Sequence, residues 1–264
     1  MEELSRFAEF ARTLAAAARA ETMRGWREAG HARNKAEGGR FDPVTESDEG
    51  AERAIRALIE RHYPDHGIVG EEFGERQAEG AWSWSLDPID GTRSFVCGLP
   101  SWSTLIALLH RGQQVLGLID IPRLGESYIG HDGRSSLRDA DGDRPLSTSR
   151  CSSLAEARFS TTDPYLFEGV EQESFTRLRT KVRVTRYGLD AYAYARLAAG
   201  SIDLVVESGL KPHDYNALVP VIRGAGGAVA NWRGEDDFSE GHVVAAATQE
   251  LLEEAVRALN DIPS

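Results

Sequence analysis

Cysteine is scarce in this chain: Cys97 and Cys151 are the two among 264 residues, and they form no Cys-x-x-Cys pair. That excludes a zinc ribbon or a disulfide framework, and a reduced, cytoplasmic chain is the expectation. Long apolar runs are also missing, and no stretch approaches the ~20 residues that a membrane span needs. The N-terminal region carries Glu2, Glu3, Arg6, Glu9 and Arg12, unlike a signal peptide with its apolar centre. Positive charge is in short supply, with 30 Lys and Arg against 42 Asp and Glu, a net charge of −12. A surplus of that sign gives no general attraction for nucleic acid or an anionic membrane. Concentrated in a pocket, it would instead draw metal cations and cationic substrates. Charged residues are frequent but not in long blocks, which argues against disorder. No internal repeat and no low-complexity linker divides the chain.

What is present suits a sizeable core. Hydrophobic residues make up 41%, enough for one large domain or two intimately packed halves. Phe7, Phe10, Ala11, Leu14 and Ala18 recur at helical spacing. Gly30, Gly38, Gly39 and Pro43 mark a loop over 30–43. A second helix is expected to start at Ser47 or Asp48, bury Ala51, Ala54, Ile55, Leu58 and Ile59, and stop at Pro64. Ile68-Val69 is a short strand leading into Glu71-Glu72. Trp82, Trp84 and Leu86 alternate with serines, which predicts a half-buried strand ending at Asp87. Further strands fall at 102–109, 115–121 and near Tyr128. After Pro145 the pattern turns α/β, with helices near 189–199, 214–225 and 248–259 and strands at 202–206 and 242–246. One cooperative unit over 1–264 is expected, with subregions 1–145 and 146–264.

The chemistry centres on Asp87-Pro88-Ile89-Asp90-Gly91-Thr92. Pro88 stiffens the turn and Gly91 permits tight backbone geometry, so both carboxylates can aim at one point. Hard cations such as Mg²⁺ take several oxygen ligands. Two aspartates, the Ile89 carbonyl and a nearby glutamate supply them. The N–H groups of Gly91 and Thr92 could open a helix and receive a phosphate. Taken alone, Asp-x-x-Asp-Gly is an ordinary surface turn. Three further segments add carboxylates: Gly70-Glu71-Glu72, Thr45-Glu46-Ser47-Asp48, and His213-Asp214 ahead of an apolar helix. Each has a plain reading too, a solvated loop for the first and a helix N-cap for the others.

Together these segments resemble the inositol monophosphatase-like family of metal-dependent phosphatases. The resemblance is carried by Asp42-Pro43-Val44-Thr45-Glu46-Ser47-Asp48, Gly70-Glu71-Glu72, Asp87 to Thr92, and Asp214 with Gly224-Ala225-Gly226-Gly227. It implies an α+β fold, a layered αβαβα sandwich of the inositol monophosphatase and sugar phosphatase type, often dimeric. It implies two or three Mg²⁺ ions, with Mn²⁺ as an alternative. Glu71, Asp87 and the Ile89 carbonyl would hold the first, Asp87, Asp90 and Asp214 the second. A third, weaker metal would lie near Glu71. Thr92 and Glu71 resemble the pair that orients the attacking water, with Asp48 behind Thr92. The role of Glu72 is open.

Arg186-Tyr187-Gly188-Leu189-Asp190-Ala191-Tyr192-Ala193-Tyr194 and Val206-Glu207-Ser208-Gly209-Leu210-Lys211-Pro212 resemble the histidinol-phosphatase branch, which serves histidine biosynthesis. Thr92-Arg93-Ser94-Phe95 also departs from the Thr-Thr-Asn-Phe of inositol phosphatases. The implied substrate is a small phosphate ester bearing a cationic amine. Asp190 and Glu207 are candidates for the amine and imidazole, by charge-assisted hydrogen bonds. Asp190 could equally pair with Arg186, and Glu207 could be a surface carboxylate. Arg186 could also reach the phosphate. His213, Asn216 and Arg223 depart from the branch pattern. Other readings are inositol phosphate or another family substrate, and a catalytically silent metal- or phosphate-binding regulator. The haloacid-dehalogenase type spaces its aspartates two apart, and here they are three apart.

Overall fold

The computed structural model describes residues 2–26, 33–34, 43–44 and 46–261. The expected loop at 30–43 and the Asp42 to Thr45 segment lie outside these residues, apart from two short paired strands. In chain order the elements begin with α1 (Glu2–Gly25), β1 (Arg33–Asn34), β2 (Pro43–Val44), α2 (Glu46–His62), β3 (Gly67–Gly70), β4 (Gly74–Arg76), β5 (Trp82–Asp90) and α3 (Thr92–Val96). Then come β6 (Ser103–His110), β7 (Gln113–Ile121), β8 (Glu126–His131), β9 (Arg134–Asp139) and β10 (Gly142–Pro145). The second half holds β11 (Arg158–Thr161), α4 (Val170–Arg179), β12 (Val184–Tyr187), α5 (Ala191–Ala198) and β13 (Leu204–Glu207). It closes with α6 (Pro212–Tyr215), α7 (Leu218–Gly224), β14 (Ala228–Ala230), β15 (Val243–Ala246) and α8 (Gln249–Asn260).

Strand alternation explains the layering. An eight-stranded sheet runs β10-β9-β8-β7-β6-β5-β3-β4, and a five-stranded sheet runs β12-β11-β13-β15-β14. In β6, Ile106 and Leu108 face α1 and α2, while Leu105 and Ala107 face α5 and α7. In β13, Val205 joins that same middle layer, while Leu204 and Val206 turn to α4 and α8. The order is therefore α1/α2, large sheet, α5/α7, small sheet, α4/α8: the expected αβαβα sandwich. With helices on both sides, each inner strand has two apolar faces. Each fully buried Leu or Ile contributes about 1.5–3 kcal/mol to that packing. No described helix is long and apolar enough to cross a membrane.

Several local expectations need correction. The strand at Trp82 is buried on both faces from Trp84 onward and runs on to Asp90. Its serines face the α5/α7 side of the sheet, so alternation did not mean exposure. Trp82 and Trp84 do share one face, both against Phe7. The helix α2 starts at Glu46, so Ser47 and Asp48 lie inside its first turn rather than at its cap. The stretch 214–225 is two helices, α6 and α7, with Asn216 and Ala217 between them. Ala54 and Leu58 are only half-buried on α2.

Candidate functional site

The end of β5 is shaped by its proline. Asp87 pairs with Leu105 and Asp90 with Ser103, but the register shifts between them. Pro88 has no N–H to give the ladder, and a bulge is where a sheet tolerates that. The freed carbonyls find other donors. The Thr104 hydroxyl donates to Pro88 O at 2.8 Å, and the Thr92 hydroxyl to Ile89 O at 3.0 Å. Gly91 follows at φ +77°, and a Cβ there would lie 2.7 Å from Asp190 Oδ2. Only glycine suits both demands. Thr92 then opens α3.

The bulge and α6 bring Asp87, Asp90 and Asp214 together, each with a carboxylate oxygen within 4.8 Å of the others. Asp87 is 2% exposed, and its Oδ1 is buried with no partner among the described residues. An unsatisfied buried acceptor costs about 1–3 kcal/mol, and more when charged. Burial, then the neighbouring Glu71, Asp90 and Asp214, hold the Asp87 carboxyl well above the usual range. Burial, then Asp190, do the same to Asp90. Its relief comes from the Ala191 N–H at 2.8 Å and the Ser103 hydroxyl at 3.0 Å. Burial also raises Asp214, against the pull of His213 at 3.6 Å. Its Oδ2 accepts the Lys211 N–H at 2.6 Å, so it does cap the start of α6. Converging carboxylates that resist ionisation together, one with an orphaned oxygen, are a donor set that fits a hard divalent cation.

Glu71 sits in the turn after β3, where its N–H donates to Leu86 O at 3.2 Å. It adds repulsion at both Asp87 and Asp214, yet it is not one of the three clustered carboxylates. The turn is held from below by Glu52, a residue that looks like any helix-surface glutamate in the sequence. Glu52 is 0% exposed. It accepts the Glu72 N–H at 2.7 Å, the Phe73 N–H at 3.2 Å and Arg56 Nε at 2.7 Å. Gly70 makes room for it, because a Cβ there would lie 2.0 Å from Glu52 Oε1. Asn216, a departure from the branch pattern in the sequence, has a structural task here. Its Nδ2 donates to Ser85 Oγ at 3.2 Å and its Oδ1 accepts Gln114 Nε2 at 2.9 Å. These bonds tie the end of α6 to β5, two residues before Asp87.

A small, half-open cleft adjoins the cluster, lined by Asp90, Asp190, Tyr194, Glu207 and Asp214 among others. Asp190 caps α5 at φ 49° and accepts the Ser94 hydroxyl at 3.0 Å. Burial raises its pKa, against the pulls of Ser94 and Arg93. Asp190 makes no ion pair with Arg186 among the described residues. Arg186 lies exposed on the edge strand β12 and is not among the cleft-lining residues. Glu207 is not a surface carboxylate. It is buried at the end of β13, where Oε1 accepts the Thr162 N–H at 2.7 Å and hydroxyl at 2.9 Å. Burial drives its pKa up to about 8, those bonds notwithstanding. Tyr194 is buried, Tyr192 is partly buried against the same core, and Tyr187 is exposed. Asp48, 1% exposed, lies on the first turn of α2.

The comparisons with known proteins agree with this geometry. The model of the inositol monophosphatase family matches residues 3–264. The bifunctional phosphatase IMPL2, chloroplastic, of Arabidopsis thaliana is 44% identical over 230 residues, covering 83% of this chain and 66% of that protein. A histidinol-phosphatase of Chlorobaculum parvum is 32% identical over 223 residues, covering 83% of this chain and 84% of that one. A solved inositol monophosphatase from Zymomonas mobilis superposes with TM-score 0.84 at 38% identity, over 97% of this chain and 98% of the other.

Proposed function

Because the chain belongs to the inositol monophosphatase family, and so is a phosphoric monoester hydrolase, we propose that it hydrolyses L-histidinol phosphate to L-histidinol and phosphate. The family is metal-dependent, and the site we propose holds two or three Mg²⁺, with Mn²⁺ as an alternative. The proposed ligands are Asp87, Asp90 and Asp214, completed by Glu71 and the Ile89 carbonyl. The bound ions would supply Lewis acidity toward the phosphoryl oxygens and acidify the attacking water.

The chain's own groups do the rest. In this reading Thr92 and Glu71 orient the water, with Asp48 behind Thr92. The hydroxyl of Thr92 is already anchored on Ile89 O at 3.0 Å. Gly91 and Thr92 present backbone N–H groups to the phosphate. Water attacks phosphorus in line, the ester P–O bond breaks, and the departing alkoxide takes up a proton to leave as the alcohol. No covalent intermediate and no cysteine is required. Asp190 takes the ammonium of the leaving group and Glu207 its ring N–H. Arg186, which is not among the cleft-lining residues, is given no part in this reading. The proposed assembly is a homodimer and the proposed compartment the cytoplasm, where free Cys97 and Cys151 would stay reduced.

The observation that carries the substrate reading is the cleft wall. Asp190 and Glu207 stand next to the three clustered carboxylates without belonging to them. A leaving group with a cation and an N–H donor uses both; inositol offers neither charge. Inositol phosphate is the second reading, favoured by the 38% identity to the Zymomonas mobilis enzyme. The test is kcat/KM with Mg²⁺ on L-histidinol phosphate and on inositol 1-phosphate. Histidinol phosphate should be preferred at least tenfold, and Asp90→Asn should abolish both activities. Absence of turnover of histidinol phosphate would refute the substrate, and full activity of Asp90→Asn would refute the metal site.

A further inference from the structure

Tyr194 lies on the first turn of α5, the helix that Asp190 caps, and both residues line the cleft. Tyr194 is 2% exposed, and its hydroxyl is buried without a hydrogen-bond partner among the described residues. A buried tyrosine hydroxyl normally finds one. Acceptors are close by, yet none takes its proton. Glu207 uses Oε1 for Thr162 and only Oε2, at 3.2 Å, for the Thr161 hydroxyl. Tyr194 is one of the side chains that line the cleft, together with Asp90, Asp214, Glu207 and the apolar Leu210 and Leu218. Burial holds the phenol well above its ordinary range, and Glu207 adds more to that than Asp90 or Asp214.

We propose that Tyr194 sets the choice of leaving group, its hydroxyl donating a hydrogen bond to a ring nitrogen of the departing alcohol. This rests on the histidinol phosphate reading above. A neutral imidazole carries one N–H and one lone pair. With Glu207 ionised, its Oε2 has acceptor capacity for the N–H, and Tyr194 has the unspent donor for the lone pair. Asp190 keeps an oxygen for the ammonium. The three groups together complement an amino alcohol with a heteroaromatic ring. A carbocyclic ring in the same place would leave the tyrosine proton unsatisfied.

The test compares the wild type with Tyr194→Phe on two esters, L-histidinol phosphate and L-phenylalaninol phosphate. The second keeps the amine and an aromatic ring but has no ring nitrogen. The substitution should lower kcat/KM about tenfold on histidinol phosphate and leave phenylalaninol phosphate within about twofold. Thermal stability should be equal or higher, since the change removes an unsatisfied buried group. Equal losses on both esters, or a melting temperature lowered by several degrees, would overturn the assignment and leave Tyr194 a packing residue. A wild type inactive on histidinol phosphate overturns the substrate reading itself, and the ring-nitrogen contact with it.

Discussion

Replacing Glu52 by glutamine keeps the volume of the side chain and removes its charge. The carboxylate serves three donors: Arg56 and the N–H groups of Glu72 and Phe73. Glutamine has one carbonyl oxygen, so its amide nitrogen must face at least one of those donors. Hydrogen bonds to a charged group are worth about 1.5–3 kcal/mol each, and a stranded donor adds its own desolvation cost. Arg56, only 13% exposed, loses its counter-charge as well. A destabilisation of about 3 kcal/mol follows, which lowers the melting temperature of a chain this size by roughly 6–12 °C. The same bonds hold the turn that carries Glu71, so the Mg²⁺ concentration for half-maximal phosphatase activity should rise about tenfold. Circular-dichroism melting in EDTA and activity titrated with Mg²⁺ measure the two effects. A melting temperature within about 2 °C of wild type with an unchanged Mg²⁺ midpoint would show that Glu52 does not brace the turn.

Two other outcomes follow from buried groups. Glu207 holds its proton up to about pH 8, against 4.5 when exposed. Between those values the folded state binds a proton that the unfolded chain has lost, so its contribution to stability declines as pH rises through that window. Glu207→Gln should remove that decline and gain on the wild type by a few kcal/mol between pH 5 and 8, as urea unfolding in EDTA would report; parallel curves would refute the burial argument. Asn216→Leu strands the buried Ser85 hydroxyl and loses Gln114, costing about 1–3 kcal/mol. A cycle with Ser85→Ala should show a coupling of about 1 kcal/mol in denaturant unfolding, and strict additivity would deny that the two residues act together.

Much of this architecture was legible because apolar spacing and motif order survive in one dimension. The helix from Phe7 to Ala18 and the strand before Glu71 could be placed by pattern, and the Asp87 to Thr92 motif could be singled out, though its strand runs on to Asp90. What escaped depends on neighbours that the chain supplies elsewhere. Trp82 to Leu86 reads as half-buried, because its serines face a helical layer contributed by residues after 190. Glu207 looks like a strand end in solvent until Thr161 and Thr162 close over it from the adjacent strand. Glu52 carries no local mark, since a glutamate in a helix is ordinary, and Asn216 stands out only as a departure from the branch pattern. Their partners are brought to them only by the fold. The break at Asn216 within 214–225 was hidden by apolar residues on both sides. The helix α4 and the strands β9 and β10, polar and partly exposed, lack the periodicity that would have revealed them.

The carboxylates that meet at the cluster come from the bulged end of β5 and the start of α6, whereas Asp190, Tyr194 and Glu207 of the cleft wall come from the start of α5 and the end of β13. Over evolutionary time those two sets can change at different speeds. A substitution at position 190, 194 or 207 alters what the cleft accepts and leaves the three clustered aspartates where they are. A substitution at the bulge disturbs the cluster whatever the ester. Descendants of such a fold can therefore inherit one reaction intact and still diverge in the alcohol they release, by exchanging a handful of side chains on the second sheet and its helix.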